Sequence, residues 1–510
     1  MRAGKWSKPL PAFFADFLFF GMFFLRFPVF PALDFPTFFL YNSSLMENNS
    51  VQKDSVQVEN KMGTMGVGRL LISMSVPMIL SMLVQALYNI VDSIFVSRID
   101  EGALTAVSLA FPFQMLMVSF AGGTAVGINA LLSMRLGQKN QDAVDKTAVN
   151  GIFLALCEYV FFVAVCLISV DPYLKSQTQN PLIIEYGQTY LRICMLSGFG
   201  LFFGFTFDRL LQSTGRTFYA MITQLTGAIT NIIFDPILIF GLGPFPKMGI
   251  AGAAVATVAG QILGAFVSIC FNLRKNVDIK FRFKGFRPDI VIIGQIYKVG
   301  LPSIVLQAVG SLTTYGMNLI LGTFKGIADT AIAVYGAYFK LNSFVFMPVF
   351  GLNNGMVPIV AYNYGARNPK RITKTIALSL VGAFSIMSVG LILFETIPAT
   401  LFSLFDASEQ MLSIGVPALR IIAPSFLGAA LCIVLGSAFQ ALGKAVYSMV
   451  VSIARQLLLL LPSAYLLSLS GVIHNVWWCF DIAEVLSLVL SMFFFLWLYR
   501  KRIKPLSPQA

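Results

Sequence analysis

Long apolar segments alternate with short polar connections from Leu70 to near the end of the chain. Each segment is long enough to cross the ~30 Å hydrocarbon core of a bilayer as an α-helix. Several segments exceed 25 residues, which predicts tilted helices or helix ends outside the hydrocarbon. The pattern predicts an all-α polytopic membrane protein with twelve transmembrane helices, at about 70–97, 103–134, 147–170, 187–212, 217–242, 249–273, 295–321, 330–361, 375–402, 411–441, 445–469 and 473–499.

The composition agrees with this class of protein. Of the 510 residues, 57% are hydrophobic and only 12% are charged, and the mean hydropathy is +0.79. A soluble protein of this size does not need so much apolar surface. The six cysteines lie singly in apolar segments, which predicts neither a disulfide framework nor a metal site.

The net charge of +13 raises the alternative of a nucleic-acid partner. The basic residues, however, concentrate in every second connection, above all in the stretch 274–287. The opposite connections hold only Arg98, Lys175, Lys247 and Lys325. Because cytoplasmic loops carry the excess of Lys and Arg, we expect both termini in the cytoplasm and no nucleic-acid partner.

The first 45 residues do not follow the pattern of the rest. They are rich in Phe, contain five prolines and carry Asp16, Arg26 and Asp34 within the apolar part. A spanning helix is not interrupted in this way, and no small-residue cleavage site follows a signal core. We expect an extension without a role in the membrane function, and the alternative is a segment lying on the membrane surface.

The second half of the apolar region repeats the first. Residues 136–140 match residues 364–368 at an offset of 228, and the same offset pairs 191–193 with 419–421. Six segments in each half are an even number, so both halves begin on the same side of the membrane. They are then parallel repeats about an axis along the membrane normal, which predicts two six-helix lobes around a central cavity.

The repeat and the charges divide the chain into five parts. We expect an N-terminal extension and tail, a first lobe, a cytoplasmic linker, a second lobe and a C-terminal tail, at 1–64, 65–273, 274–294, 295–499 and 500–510. The cavity between two such lobes is the usual place for a substrate under alternating access.

A polar stripe runs along one face of the first segment. It is made of four side chains at helical spacing, Gln85, Tyr88, Asn89 and Asp92. The other faces of this helix are apolar, so the stripe points at something other than lipid. An acid within a membrane segment is costly and marks an ion or substrate pathway. The alternative is that Asp92 lies near the outer helix end and pairs with Arg98.

A second set of polar side chains occurs in the fifth and sixth segments. Asn231 and Asp235 are four residues apart and share one helical face. Pro236 cannot donate to the carbonyl of Ile232, which is left free for another partner. Thr257 follows in a helix of small residues, which allows neighbouring helices to approach closely.

Counting from the outer helix ends places Asp92, Asp235 and Thr257 at one depth. They lie about five, seven and eight residues from those ends, which is ~8–12 Å at ~1.5 Å per residue. Carboxylate, amide, hydroxyl and backbone oxygens at one level can bind a proton or a hard monovalent cation. The alternative is a static hydrogen-bonded cluster that fastens the lobe.

The second half lacks this set. Asn318 stands opposite Asp92 and Ser463 opposite Asp235. Instead, this half places three charged side chains inside apolar segments, Lys340, Arg455 and Glu484. A buried Lys or Arg needs a partner, and Glu484 is the candidate. A structural pair and a substrate-facing role both remain open for these residues.

Four motifs carry a resemblance to a known family, namely 88–92, Asn231 with Asp235-Pro236, 249–254 with Thr257, and 348–355. Together they resemble the MATE (multidrug and toxic compound extrusion) transporters over about 65–500. The stretches 339–344 and 209–216 are similar to those of the MepA-like bacterial multidrug exporters.

The resemblance implies roles for individual residues. It implies a Na⁺ or H⁺ site formed by Asp92, Asn231, Asp235 and Thr257, with the carbonyl of Ala253 as a further ligand. The drug-cavity positions correspond to Gln85 and Tyr88, and Asn89 belongs to the same stripe. One branch of the family has an acid in the seventh helix, whereas 295–321 contains no Asp or Glu, which argues against coupling through the second lobe.

These observations predict an antiporter of the bacterial inner membrane that exports small amphipathic compounds, with cationic ones favoured, and that works as a monomer in the lipid bilayer. We expect no cofactor other than the coupling ion, H⁺ or Na⁺. The alternative is a flippase for a lipid-linked saccharide, which would favour a strongly cationic cleft. A membrane transferase acting on isoprenoid phosphates would need an acidic metal-binding motif such as DDxxD, and the sequence contains none.

Overall fold

A computed structural model describes residues 60–99, 101–403, 405 and 407–506, and the predicted extension 1–45 lies outside this part. The described chain is helical throughout and contains no β-strand. The first half comprises α1 (Lys61–Thr64), α2 (Val67–Ser97), α3 (Glu101–Gly137), α4 (Gln141–Gln177), α5 (Pro181–Leu196), α6 (Phe199–Ser213), α7 (Thr217–Phe240) and α8 (Ile250–Lys275).

The second half has the same number of spans but more breaks. It comprises α9 (Ile290–Leu321), α10 (Ala328–Gly365), α11 (Pro369–Thr396), α12 (Pro398–Ser403), α13 (Glu409–Ile422), α14 (Ser425–Ala441), α15 (Ala445–Ile453), a π-helix (Ala454–Leu460), α16 (Leu461–Ser468), α17 (Ile473–Val476), α18 (Cys479–Leu498) and a second π-helix (Tyr499–Ile503). Below, the first lobe means α2–α8 and the second lobe α9–α18.

Ten spans in the described chain are long and apolar enough to cross a membrane, and two bent helix pairs raise the number to twelve. The bent pairs are α5–α6, at 43°, and α13–α14, at 52°. The sequence predicted one continuous segment in each place. The breaks fall at Gly198, a poor helix former, and at Pro424, which lacks an N–H. They occupy equivalent places in the two halves, as expected for a parallel repeat.

Small residues bring α7 and α8 together. A Cβ added at Gly260 would lie 2.6 Å from the carbonyl oxygen of Gly227, and one added at Gly252 would lie 2.6 Å from that of Leu238. This close approach turns the Asn231–Asp235 face of α7 toward Thr257 of α8. The small-residue pattern of the sixth segment thus positions the polar residues of the first lobe.

The two lobes touch at one end of the bundle. On α10, a Cβ at Gly351 would lie 2.5 Å from the Cα of Ile79, and on α3 a Cβ at Gly123 would lie 2.7 Å from the amide nitrogen of Ile304. Farther along, Gly137 packs against the backbone of Tyr362. These contacts all lie toward the end that carries the connections 138–140, 276–289 and 366–368, which we call the basic end.

Toward the opposite end of the bundle, the faces of α3 and α9 that touch at the basic end are exposed. Leu116 lies seven residues before Gly123, and Tyr315 lies eleven residues after Ile304, so each returns to within about 20° of its helix's contact face. Tyr315 is nevertheless 65% exposed and Leu116 is 39% exposed. A cleft therefore opens between the lobes at the end opposite the basic connections.

Candidate cation site and transport pathway

Two acids from different helices meet in the first lobe. Asp92 of α2 and Asp235 of α7 lie in hydrogen-bonding contact, although 143 positions separate them in the sequence. Asp235 is fully buried. Because a hydrogen bond between two carboxyl groups requires a proton on one of them, the arrangement can hold a proton. Asp92 Oδ1 and Asp235 Oδ2 are buried without another hydrogen-bond partner in the described chain.

Amide and hydroxyl oxygens lie beside these acids. Asn231 Nδ2 donates to Asp235 Oδ1 over 3.3 Å and lies 3.4 Å from Thr257 Oγ1. Asn231 Oδ1 is buried and accepts no hydrogen bond from the described residues. Ala253 is fully buried one turn before Thr257 on α8. The structure thus brings the predicted residues together as a cluster of oxygen atoms with unused acceptor capacity.

The polar stripe of α2 continues from this cluster. The Tyr88 hydroxyl forms a hydrogen bond with Gln85 and lies near both acids. Asn89 is exposed on the same helix. Gln85 and Tyr88, predicted as cavity residues, therefore form the edge of the acid cluster.

The pairing of Asp92 with Arg98 is wrong for this structure. Arg98 is exposed beyond the end of α2, and the ion pairs of the described chain do not join it to Asp92. Asp92 instead points across to α7, because the close packing of α2 with α7 offers it Asp235.

Two further polar residues at the site were not predicted from the sequence. Gln114 Nε2 of α3 donates to the Tyr190 hydroxyl of α5 over 3.1 Å. Tyr190 is 2% exposed and lies close enough to Asp92 and Asp235 to interact electrostatically with both. Their only signal in the sequence is a polar side chain within an apolar segment, and nothing there links position 114 to position 190.

The charged residues of the second lobe are arranged differently. Arg455 Nη1 lies 3.1 Å from Glu484 Oε2, and Arg455 belongs to the π-helix that interrupts the eleventh span. Gly428 leaves room for Glu484, since an added Cβ would lie 2.8 Å from Glu484 Cγ. The sequence grouped Lys340 with buried charges, but Lys340 is exposed and forms no ion pair with an acid of the described chain.

The repeat counterparts of the acids do not form a second cluster. Ser463 Oγ donates to the carbonyl of Leu459 within its own helix, over 2.6 Å. Asn318, opposite Asp92, is half-buried on α9. The two lobes are thus alike in backbone and unlike in polar content.

A sequence model of the MatE family matches residues 77–237 and 302–466, one match in each half and more than half of the chain in total. The chain belongs to the MATE family. MATE proteins are membrane transporters, not enzymes, and this identification agrees with the multi-pass helical fold.

Characterised relatives cover nearly the whole described chain. The multidrug export protein MepA of Staphylococcus haemolyticus is 27% identical over 421 residues, which are 82% of this chain and 91% of the relative. An FAD transporter of Shewanella oneidensis is 25% identical over 413 residues, 78% of this chain and 88% of that one.

Solved structures share the fold. A multidrug resistance MATE family transporter of the MOP superfamily, in an outward-facing conformation, superposes with a TM-score of 0.81 at 24% identity, over 89% of this chain and 99% of that chain. A MOP superfamily transporter from Pyrococcus furiosus gives the same TM-score and identity, over 89% and 100% of the two chains. At this identity the likeness concerns the fold alone.

Polar contacts cross between the lobes of this MATE transporter at its basic half. Arg209 Nη1 donates to Asn354 Oδ1 of the second lobe over 2.9 Å. Its neighbour Asp208 accepts from Thr223 and Ser268 within the first lobe, over 2.6 and 2.8 Å.

Another buried acid of the first lobe, Glu158, was missed by the sequence reasoning. Glu158 of α4 is 6% exposed, and its Oε1 accepts from Thr124 Oγ1 over 2.5 Å and from the Tyr297 hydroxyl of the second lobe over 3.3 Å. The argument that singled out Asp92, an acid in an apolar segment, applies equally to Glu158. Its partners were not predictable because both are distant in the sequence.

A short strap, residues 60–66, connects both lobes across the basic end. Asn60 Nδ2 donates to the carbonyl of Thr214 in the first lobe over 3.1 Å. Arg371 Nη2 of the second lobe donates to the carbonyls of Met62 and Met65 over 3.0 and 2.7 Å. Any movement that separates the lobes here must break these bonds.

Proposed function

We propose that the protein is a cation-coupled multidrug exporter that works by alternating access. The observation that carries this proposal is the buried contact between Asp92 and Asp235, with acceptor oxygens that no basic residue of the described chain neutralises. An acid pair inside a bilayer is expensive unless it exchanges a bound cation. The similarity to MepA supports a drug as the exported compound.

The coupling ion is H⁺ or Na⁺. A proton can bind between the two carboxyl groups, and Na⁺ would be held by the carboxylate oxygens with the side-chain oxygens of Asn231 and Thr257 and the Ala253 carbonyl. Both ions would neutralise charge at the same place. The site is built from α2, α7 and α8, so its occupancy acts on α2, which packs against α10 of the second lobe.

The transport cycle follows from the position of this site in the first lobe. With the cleft open away from the basic end, Asp92 and Asp235 take up the cation, and a substrate bound in the cleft is released. The lobes then close the cleft and separate at the basic end, where the cation leaves and new substrate binds. A ligand shifts such an equilibrium only by its difference in affinity for the two states. The acids must therefore bind the cation more tightly when the cleft is open.

The proposal includes the orientation of the protein in the membrane. The excess of Lys and Arg at the basic end supports a cytoplasmic location of this end and of both termini, in the bacterial inner membrane. The open cleft then faces outward. The division into a first lobe (65–273), a linker (274–294) and a second lobe (295–499), acting as a monomer, belongs to this proposal.

The relatives described above are named as drug and FAD transporters, which does not favour the alternative of a flippase for a lipid-linked saccharide. A flippase would also favour a strongly cationic cleft, whereas the first lobe holds an acid cluster.

The test is ethidium transport by the purified protein in proteoliposomes, with a proton gradient and a sodium gradient imposed separately. We expect one of the two gradients to drive uphill transport and its collapse to stop it. Transport that neither gradient drives, or that continues uphill after both gradients are collapsed, would contradict cation coupling.

A further inference from the structure

Lys340 lies on the face of α10 that turns toward the first lobe. Two residues define this face, because Gly351 packs against Ile79 and Asn354 accepts from Arg209. Lys340 precedes them by eleven and fourteen residues, which returns it to within about 20° and 40° of these positions. Its side chain therefore starts from the same face, about three helical turns farther from the basic end.

The opposite face of α10 is occupied by its own lobe. The ring of Tyr338 packs edge-on against Phe480, with centroids 5.5 Å apart. Val345 fills the space beside Gly390, where an added Cβ would lie 3.1 Å from Val345 Cγ2. Lys340 is about 140–160° from both residues around the helix, so it points away from the interior of the second lobe.

The helical phase and the packing of Tyr338 and Val345 thus direct Lys340 toward the cleft. Lys340 is exposed and forms no ion pair within the described chain. Tyr315, on the cleft-facing side of the neighbouring α9, is 65% exposed and offers an aromatic surface. The second lobe therefore presents an ammonium and an aromatic ring toward the cleft, whereas the first lobe holds two acids, of which Asp92 is partly buried and Asp235 fully buried.

We propose that Lys340 binds the acidic group of zwitterionic substrates, compounds that join an aromatic body and a cationic centre to a carboxylate, sulfonate or phosphate. This inference rests on the proposed function and concerns its substrate class. A charge-assisted hydrogen bond from the ammonium to the acidic group holds one end of the substrate. The aromatic body lies against Tyr315, and the cationic centre faces the acids of the first lobe.

The test compares two dyes that differ by one methyl ester. Rhodamine 123 is a cationic ester, and rhodamine 110 is the zwitterionic free acid with the same ring system. Binding of each dye to the purified full-length protein is measured by fluorescence anisotropy, which does not depend on coupling. Lys340→Met should weaken binding of rhodamine 110 about ten- to hundredfold, the usual range for a hydrogen bond to a charged group, and leave rhodamine 123 within about twofold.

Two control variants isolate the charge of Lys340. Lys340→Arg keeps a cation at this place and should retain the preference for rhodamine 110. Lys325→Met removes an exposed lysine from the turn between α9 and α10 and should change neither dye. A Lys340→Met variant that binds both dyes as the wild type does, or weakens both equally, would overturn the inference, and so would a wild type that does not bind rhodamine 110.

The outcome separates this inference from the proposed function. Loss of gradient-driven ethidium transport with an intact, Lys340-dependent preference for rhodamine 110 would refute coupling and keep the substrate class. Coupled ethidium transport without that preference would refute the substrate class alone.

Discussion

The two lobes of this transporter share a backbone design and differ in the state of their buried charges. Each lobe has six spans, with a bend in the same span, at α5–α6 in the first and α13–α14 in the second. In the first lobe Asp92 and Asp235 contact each other without a basic neighbour in the described chain. In the second lobe Glu484 is neutralised by Arg455 at 3.1 Å.

The acids of the first lobe can therefore exchange a cation, whereas the charge of Glu484 in the second lobe is already balanced by Arg455. A buried acid with a resident guanidinium has little to gain from H⁺ or Na⁺, whereas two facing acids need an added positive charge. In the proposed mechanism, coupling therefore belongs to the first lobe, and the second lobe is its partner in closing the cleft.

The sharpest way to break the comparison is to remove one acid from the first lobe. Asp92→Asn and Asp235→Asn should each lower gradient-driven ethidium export by at least about 100-fold, because an amide cannot take up the cation (order of magnitude from an interaction of ~3 kcal/mol). The readout is initial transport rate in proteoliposomes. Asp171→Asn is the matched control, since Asp171 also lies in the first lobe but pairs with Arg192 at 2.8 Å, and it should transport normally.

Removing the acid of the second lobe should lower the stability of the protein and leave ion coupling intact. Glu484→Gln leaves Arg455 without a counter-charge and should lower the free energy of unfolding by about 2–3 kcal/mol, less than for a fully buried pair because Arg455 is partly exposed. The measurement is thermal unfolding in detergent. The double variant Arg455→Met, Glu484→Leu should recover most of the stability. A Glu484→Gln protein of normal stability that has lost ion coupling would show that the second lobe also exchanges a cation.

The contact between the lobes offers a smaller, conformational test. Gly351→Val places methyl groups against the backbone of Ile79 and should shift the equilibrium by about 1–3 kcal/mol toward a state open at the basic end. A cysteine at Ser75, which is 2% exposed, would then react faster with a thiol reagent in a background lacking the six native cysteines. Gly336→Val, on the same helix but with no atom within 4 Å of an added Cβ, should leave the rate unchanged.

The smallest expected effect concerns the strap that holds both lobes at the basic end. Burial and, secondarily, the charge of Arg216 lower the pKa of Lys61 from 10.5 to about 8. Below pH 8 the docked strap must carry a charged Lys61 at a cost, and this cost disappears as the pH rises from about 8 toward 10.5, so docking strengthens with pH. A spin label at Gly66, which is exposed, should become less mobile over this range. Lys61→Met should abolish the pH dependence, and mobility that rises with pH in the wild type would contradict the assignment.

The sequence predicts most of the fold because a bilayer demands long apolar helices with satisfied backbones. The number of spans and the parallel repeat follow from hydropathy and from the matches at an offset of 228. The bends in the fourth and tenth spans were not predicted. A glycine at 198 and a proline at 424 permit a break, but tertiary packing decides whether the helix bends there.

The candidate site was predictable where its residues share a helix or a family motif. Asn231 and Asp235 lie one turn apart, so their common face follows from helical periodicity. The contacts of Tyr190 with Gln114 and of Glu158 with Tyr297 join residues 76 and 139 positions apart. Such pairs depend on how helices pack, which a single sequence does not encode in a readable pattern. The cleft-facing position of Lys340 likewise emerged only from the contacts of α10.

The most direct test of the central claim is the affinity of the purified protein for ethidium as a function of pH and Na⁺ concentration. If Asp92 and Asp235 form one exchangeable cation site, raising the concentration of the coupling ion should weaken ethidium binding in the wild type. This dependence should vanish in Asp92→Asn and in Asp235→Asn. An affinity that is independent of both ions in the wild type, or that retains its ion dependence in both variants, would contradict the account.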